Sequence, residues 1–434
     1  MSGIAQALIK QRFFRYIRIG CAWRYMELLP GNRIGGGKAR YEQTWHIQYQ
    51  DGTPVLLIAG DEGITCRLQQ QAEGTWRGSW LIYERMPVEL IAVPESELTM
   101  TGTLTTTSPE PIDAVYTWVD GHDPNFRIQL ERYMSGRADN ANSGDARPSR
   151  YRSHDELRYS LRSLQGYAPW IRHVYLVTNG QVPVWLDETH PGITVVPHEA
   201  IFPDAGHLPT FNSLAIELHL HRIPGLSRRY LYFNDDLFFG RPVSPESYLT
   251  PSGVQKVYLE DWLLSLDLSA GGVLERAHAH TQHLLRERIP DQSPFRAIAH
   301  VPQIYDREWV AQVEALWPRE IAATSASRFR TGTNVVLCVL YSHYLLSSPA
   351  YRTRHRAVVV RNRSTDYVLL MLREQTLSML DMFDEIAFQC PKFLCVNDDL
   401  GDSEVADIVL EHSERFLANY FPEPSTFEKT DWLG

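Results

Sequence analysis

Cysteine is scarce in this chain, with five cysteines in 434 residues. The number is odd, and the set is too sparse for a disulfide-stapled domain and lacks zinc-ribbon pairing. Cys390 and Cys395 are close enough in sequence to share a metal ion, but the simpler expectation is a structural role for both. The fold must therefore depend on a packed core, for which an apolar content of 44% is sufficient.

Long hydrophobic runs and an excess of positive charge are also missing. No stretch approaches the ~18 apolar residues of a membrane-spanning helix. The opening residues, MSGIAQALIKQRFFR, lack the apolar core and cleavage site of a signal peptide, so we expect a cytoplasmic protein. The net charge of −10 argues against a nucleic-acid partner, because binding phosphates requires clustered Lys and Arg.

One local exception is a basic stretch at residues 10–24, where cationic and aromatic side chains alternate. We predict an amphipathic helix there, which either packs on its own domain or lies on an anionic membrane surface. The second alternative would place the protein at the inner face of the cytoplasmic membrane. The cations are Lys10, Arg12, Arg15, Arg18 and Arg24.

The pattern of the chain changes near residue 100. Residues 41–93 form short apolar or alternating runs between glycine turns, whereas later segments alternate strand and helix patterns. We predict a basic helix plus a small β-rich accessory domain at 1–95, a Thr-rich linker at 96–111 and a catalytic domain at 112–425. The predicted fold class is α/β, with a Rossmann-like or GT-A-like layered catalytic domain.

Within the catalytic domain the periodicity predicts individual elements. Strands are expected at 112–119, 173–179, 193–198, 228–236 and 392–399, and helices at 155–167, 211–223, 335–347 and 404–421. The small, polar segment 134–150 is predicted to be a mobile loop over the site.

Three predicted strands end in polar residues that could meet at one edge of a sheet. Trp118 and Asp120 follow the first, Asn179 follows the second, and Asn234 leads into Asp235 and Asp236 after the third. Carboxylate oxygens are the ligands that Mg²⁺ prefers, so we predict a metal site on Asp235 and Asp236, with Asp120 as a further ligand. Trp118 offers a stacking face. The alternative is that these acids only cap turns.

A second candidate group lies on the predicted helix 155–167. Arg158 and Arg162 are one turn apart and share a face, with Arg152 just before the helix and Asp155 at its start. Such guanidinium groups can grip a diphosphate, or they can form salt bridges on a helix surface with Asp155 and Glu156.

Four segments, in order, resemble the conserved regions of the Stealth family. IDAVYTWVDGHDP resembles the first region, residues 152–186 the second, and residues 208–243 with the later AHVP the third; residues 390–402 resemble the fourth. Residues before 112 lie outside the resemblance.

The resemblance implies transfer of a hexose-1-phosphate from a UDP-sugar to a sugar hydroxyl, with release of UMP and with Mg²⁺ or Mn²⁺ as cofactor. The family includes bacterial capsular-polysaccharide enzymes and is similar to the animal enzyme that transfers N-acetylglucosamine-1-phosphate. The implied partners are the UDP-sugar and an oligo- or polysaccharide acceptor, with a capsule-assembly complex and a homodimer left open.

Residue roles also follow from the resemblance. The family residues needed for activity correspond to Asp235 or Asp236, with Asp236 preferred, and to His300 and Arg330. His278, His280 and His283 are rivals of His300 in the sequence. The substrate-binding candidates, whose roles are inferred from residue type and position and are not inherited from the family, are Trp118, Asp120, Arg152, Asp155, Arg158, Arg162, Asn179 and Asn234. Two other functions stay open: a metal-dependent GT-A-type glycosyltransferase that releases UDP, and a non-catalytic glycan-binding protein.

Overall fold

The computed structural model divides the chain into two compact units, Met1–Pro109 with Phe388–Cys390, and Glu110–Ala387 with Pro391–Gly434. It describes residues 3–18, 22–35, 42–50, 52–60, 63–71, 74–81, 86–94, 110–135, 150–250, 253–269, 271–289, 294–401 and 403–430. Most of the predicted linker 96–111 and of the predicted loop 134–150 lies outside these residues.

The first unit is a helix, Gly3–Gln11, followed by an antiparallel sheet that closes on itself. Its strands are β1 (Phe13–Arg18), β2 (Ala22–Leu29), β3 (Arg33–Gly35), β4 (Thr44–Gln50), β5 (Thr53–Gly60), β6 (Gly63–Gln70), β7 (Trp76–Trp80) and β8 (Met86–Ala92). The sheet closes where Tyr16 of β1 pairs with Leu90 of β8. Trp45, Trp76 and Leu56 fill its interior.

The prediction of a helix over residues 10–24 is wrong. The first helix ends at Gln11, and the described part of the stretch continues as β1 and the start of β2. Aromatic residues favour strands, and alternate residues of a strand face the same side. Phe14 and Tyr16 therefore both enter the core, where the Tyr16 hydroxyl lies 3.1 Å from the Cys66 Sγ.

The second unit is built on a central sheet, and it confirms the predicted α/β fold class. The sheet has the order β11-β10-β9-β12-β16, with strands β9 (Ile112–Thr117), β10 (Val174–Thr178), β11 (Ile193–Pro197), β12 (Arg229–Asn234) and β16 (Gln303–Asp306). The first four strands are parallel, and β16 pairs antiparallel with β12. The carboxyl ends of β9, β10 and β12 therefore lie at one edge.

Two smaller sheets complete the second unit. One has the order β13-β19-β18, with β13 (Leu237–Phe239), β18 (Tyr367–Leu372) and β19 (Phe393–Asp398). The other has the order β15-β14-β17, with β14 (Gln255–Leu263), β15 (Arg296–Ile298) and β17 (His355–Val360). Only Asp235 and Asp236 separate β12 in the central sheet from β13 in the next. Both acids are thus fixed where the chain passes between sheets.

Helices pack on these sheets close to the predicted positions. They are Pro124–Met134, Glu156–Tyr167, Ser213–Glu217, Val273–Arg288, Arg307–Leu316, Pro318–Ala326, Leu337–Ser347, Thr376–Gln389 and Glu404–Tyr420. The predicted helix 211–223 is shorter than expected, because its second half is a single 3-10 turn at Leu220–Arg222. Among the described residues, no helix combines the length and apolar character needed to cross a membrane.

The cysteines differ in state. Cys66, Cys338 and Cys395 are free thiols, whereas Cys390 is disulfide-bonded, which the sparse cysteine content did not predict.

Candidate active site

A cleft of about 850 Å³ opens at the carboxyl ends of β9, β10 and β12. Six of the predicted site residues other than the acid pair line it: Trp118, Arg152, Asn179, Asn234, His300 and Arg330. The structure therefore brings together the three strand ends and both residues assigned through the resemblance. The Trp118 ring nitrogen donates to the Ser153 hydroxyl at 3.2 Å, which fixes the indole at the rim.

Asp235 and Asp236 also line this cleft, and Asp236 is the better anchored of the two. Asn397 and Cys395 project from the same face of β19, and both donate to Asp236 Oδ2, at 2.8 Å and 3.4 Å. The other oxygen, Oδ1, is buried without a hydrogen-bond partner in the described structure and lies 3.8 Å from His300 Nε2. Asp236 thus presents one unsatisfied oxygen.

The two neighbouring acids differ in their electrostatics. Burial, together with the charges of Asp236 and Glu156, raises the pKa of Asp235 well above its ordinary value. Burial also opposes ionisation of Asp236, but His300 and Asn397 outweigh it and lower the pKa of that group. A cation between the two carboxylates would relieve this repulsion and favour ionisation of both.

His300 is held beside Asp236 just before β16. Its backbone N–H donates to the Tyr367 hydroxyl at 3.1 Å. Burial disfavours the charged imidazolium, yet the Asp236 carboxylate overcomes this effect and, with Glu217 and Glu260, raises the pKa of His300. His300 is therefore a base whose protonated form is stabilised by a carboxylate.

Arg330 brings positive charge to the cleft. Its Nη2 donates to the Ser213 hydroxyl at 2.5 Å, and its buried Nε has no hydrogen-bond partner within the described residues. The loop that carries it is tied down by Asn334, whose side-chain oxygen accepts from Thr331 N–H at 2.8 Å and from Asn212 at 3.0 Å. A guanidinium with an unfilled donor suits an anionic ligand.

Glu217 is a site residue that the sequence reasoning missed. It lies one helical turn after Ser213 and near Tyr232, whose hydroxyl lies 3.0 Å from Thr117 Oγ1. Burial raises the pKa of Glu217 to about 7, although Arg330 and His300 favour its charged form. The i, i+4 spacing to a serine was the available signal, and it carries little information.

Glu156 and Asp398 add negative charge to the cleft wall. Asp398 Oδ2 lies 3.2 Å from Arg152 Nη1, in an ion pair whose side chains are each 10% exposed. Burial and the charges of Asp236 and Asp398 raise the pKa of Glu156 to about 7, against hydrogen bonds from the backbone. Arg152 therefore balances part of this charge.

Arg158 and Arg162 are not brought to the cleft in the described structure. Arg158 Nε donates to Glu428 Oε2 at 2.7 Å, and Arg162 binds both Glu428 oxygens at 2.7 Å. Asp155 lies just before this helix, where its Oδ1 accepts from the Trp185 ring at 3.2 Å. These contacts agree with the salt-bridge alternative, but Glu428 is the main partner.

Asp120 also lies outside the set of described cleft-lining residues. Its Oδ1 accepts from His122 N–H at 2.8 Å, while Gln181 bonds its backbone N–H and carbonyl at 3.0 Å and 2.8 Å. This geometry is that of the turn alternative.

Four family models match the chain, namely Stealth conserved region 1 at residues 110–138, region 2 at 150–257, region 3 at 299–347 and region 4 at 384–433. The chain belongs to the Stealth family. The assignment of residues 208–243 to region 3 is wrong, since they lie in region 2. Stealth region 3 begins at 299 and contains His300 and Arg330.

Two relatives of the chain are named for the same function. An exopolysaccharide phosphotransferase of Streptomyces coelicolor is 39% identical over 326 residues, which cover 74% of this chain and 53% of the relative. The exopolysaccharide phosphotransferase CpsY of Mycobacterium leprae is 36% identical over 322 residues, covering 73% and 57%. The chain thus spans only a little over half the length of these relatives.

Among solved structures, a galactosyltransferase, LgtC, in complex with donor and acceptor sugar analogs matches with a TM-score of 0.34 and 12% identity. The match covers 74% of this chain and 99% of that chain.

Replacing Glu428 with Ala should destabilise the second unit strongly. Glu428 is 4% exposed, and Arg158 and Arg162 are 13% and 9% exposed, so the variant leaves two enclosed guanidinium groups without their carboxylate. We expect a loss of about 3–5 kcal/mol in the free energy of unfolding, measured by urea denaturation at pH 7. Glu411→Ala, which removes an exposed partner of Arg415, should change it by less than about 0.5 kcal/mol.

The ion pairs of Glu428 with Arg158 and Arg162 should also make the stability of the second unit depend on pH. Burial alone would raise the pKa of Glu428, but Arg162 and Arg158 lower it from 4.5 to about 2. The stabilisation is therefore present above pH 4.5 and is lost as the pH falls towards 2. A difference between wild type and Glu428→Ala that stayed constant over this range would contradict the assignment.

Proposed function

We propose that the chain transfers a hexose-1-phosphate, of the N-acetylhexosamine class, from a UDP-sugar to a sugar hydroxyl of a glycan acceptor. The products are a phosphodiester and UMP, formed during capsular or other cell-surface polysaccharide synthesis. Membership of the Stealth family and similarity to exopolysaccharide phosphotransferases support this reaction class. The observation that carries it is the grouping of Asp236, His300 and Arg330 on one cleft.

The residues fit a hard divalent cation. Asp236 Oδ1 is a buried acceptor that lacks a hydrogen-bond partner in the part of the chain described, and burial together with the charge of Asp236 disfavours the ionised form of the adjacent Asp235. Asp235 and Asp236 would hold Mg²⁺, or Mn²⁺ in its place, which would neutralise charge on the diphosphate. Asp120, predicted as a third ligand, has no support from its position.

His300 is the proposed general base. It would accept the proton of the acceptor hydroxyl as that oxygen attacks the phosphorus next to the sugar, and Asp236 would stabilise the resulting imidazolium. Arg330 would stabilise the charge that develops on the phosphoryl oxygens. Because the bond from the anomeric carbon to its oxygen stays intact, the sugar keeps its configuration.

The remaining cleft residues are proposed to bind substrate. Trp118 offers an aromatic face for the uracil base, and Arg152, Asn179 and Asn234 offer hydrogen-bonding groups along the wall. The side-chain oxygen of Asn179 is buried and, in the described structure, makes no hydrogen bond, which suits a donor on the ligand. Membrane association through residues 10–24 and a homodimer stay predictions.

Identifying the nucleotide released from UDP-N-acetylglucosamine, with Mg²⁺ and a mixed oligosaccharide pool, tests the reaction. UMP together with a new phosphodiester signal in ³¹P NMR is the expected result, since phosphorus is the atom attacked. Release of UDP would favour the glycosyltransferase alternative. If neither UDP-N-acetylglucosamine nor a panel of other UDP-sugars gave any nucleotide release, the result would favour the glycan-binding alternative. Asp236→Asn should reduce release to below roughly one-thousandth, and Asp384→Asn, on an exposed helix face, should not.

Glu217→Gln should alter the pH dependence of the reaction. The Glu217 charge helps to raise the pKa of His300, and a base works only when it is neutral. We therefore expect the acid limb of kcat/KM to lie above pH 6.5 in the wild type and to move to lower pH in Glu217→Gln. KM for the donor should rise about fivefold, equivalent to roughly 1 kcal/mol, because Arg330 loses the negative charge of Glu217 that favours its position.

Glu314→Gln is the matched control, because Glu314 is ion-paired with His221 and Arg222 elsewhere in the same unit. Its acid limb should coincide with that of the wild type. An acid limb that stayed in place in Glu217→Gln would refute the coupling of Glu217 to His300.

A further inference from the structure

We propose that Asp236, His300 and Cys395 form a binding site for a thiophilic divalent cation of the Zn²⁺ class, and that its occupation inhibits the chain. The binding stands by itself, whereas the inhibition rests on the proposed function. The site shares Asp236 with the proposed Mg²⁺ site but adds nitrogen and sulfur ligands.

The three side chains already have nearly the required spacing. One ligand atom from each lies within 4.8 Å of the other two. Tetrahedral zinc with ordinary bond lengths places its nitrogen, oxygen and sulfur ligands roughly 3.3–3.6 Å apart. The distances from Asp236 Oδ1 to His300 Nε2, 3.8 Å, and from Asp236 Oδ2 to Cys395 Sγ, 3.4 Å, are close to this range. One carboxylate oxygen of Asp236 thus faces each of the other two ligand residues.

The fold supplies a reason for a ligand at this point. Asp236 is 9% exposed, and its Oδ1 has no hydrogen-bond partner among the described residues. Cys395 is fully buried on β19 and is a free thiol. His300 reaches the same point from the cleft side, where its side chain is 39% exposed. Three protein ligands with a fourth position open to the cleft is the arrangement of catalytic zinc sites.

The ligand set selects the class of cation. Mg²⁺ requires oxygen ligands and gains nothing from a thiol or an imidazole. Zn²⁺ and Co²⁺ bind both, and thiolate ligands favour softer metals. On binding, the Cys395 thiol loses its proton to the buffer and its sulfur forms the bond to the metal; any proton on His300 Nε2 is released in the same way.

Inhibition follows from the residues that the cation occupies. A metal on His300 removes the lone pair that the proposed general base needs. The same metal withdraws Asp236 from the Mg²⁺ site. Excess Mg²⁺ should relieve this inhibition poorly, because it cannot replace the bonds to sulfur and nitrogen.

Cobalt absorption spectroscopy on the full chain tests the binding. We expect one equivalent of Co²⁺ to give an intense thiolate-to-metal charge-transfer band that Zn²⁺ abolishes and excess Mg²⁺ leaves unchanged. Cys395→Ser should lose the band. Cys338→Ser, which removes another free thiol of the same unit, should keep it. A wild-type protein without the band, or a band that persists in Cys395→Ser, would overturn the site.

His300→Ala keeps the test decisive if Cys395→Ser does not fold, as judged by circular dichroism. This variant should weaken Co²⁺ binding at least roughly tenfold while keeping a thiolate band, and unchanged affinity would exclude His300 as a ligand and so reject the site. Zn²⁺ inhibition is then measured on UMP release, relative to each variant's own activity, and Cys395→Ser should require a higher Zn²⁺ concentration. Because the spectra need no turnover, failure of the proposed reaction would leave the test of binding intact.

Discussion

The hydrogen bonds from Asn397 and Cys395 to Asp236 are the contacts on which the site depends. Asp236 lies in the two-residue connection between the central sheet and the sheet that contains β19. Because β19 holds one carboxylate oxygen, the other is directed towards His300. A backbone hydrogen bond joins the same two segments, since Val396 N–H donates to the Asp236 carbonyl at 3.1 Å. A displacement of either sheet would therefore change the site itself.

Uneven charge is the second constraint. Asp235, Asp236, Glu156 and Asp398 face a cleft whose cationic side chains include Arg152 and Arg330. Burial raises the pKa of Asp235 and Glu156 and so disfavours their charged forms, which a cation bound nearby would favour. An excess of carboxylates suits a metal-bound diphosphate, which brings both a cation and an anion into the same space.

The sequence predicted this arrangement where local pattern and topology determine position. The strands ending at Thr117, Thr178 and Asn234 are apolar runs followed by polar residues, and parallel strands bring such ends together. Arg158 and Arg162 show the limit of that reasoning. Their spacing predicts a shared face but not a partner, and Glu428 lies 266 residues from Arg162.

Other features depend on contacts that local sequence does not encode. Glu217 matters because Tyr232 and Arg330 surround it, and both are brought to it by tertiary folding. Cys395 is a candidate metal ligand only because it contacts Asp236, which is 159 residues away in the sequence. The helix prediction for residues 10–24 was wrong for a different reason. Aromatic and basic residues at mixed spacing fit either a helix or a strand, and the pairing of β1 with β8 that closes the sheet favours the strand.

The most direct test of the central claim is a crystal structure with Mg²⁺ and a non-hydrolysable UDP-sugar analogue bound. The diphosphate should lie between the Asp235 and Asp236 carboxylates and the Arg330 guanidinium, with the metal on the acids. A diphosphate bound to Arg158 and Arg162, with Glu428 displaced, would contradict the assignment of the active site.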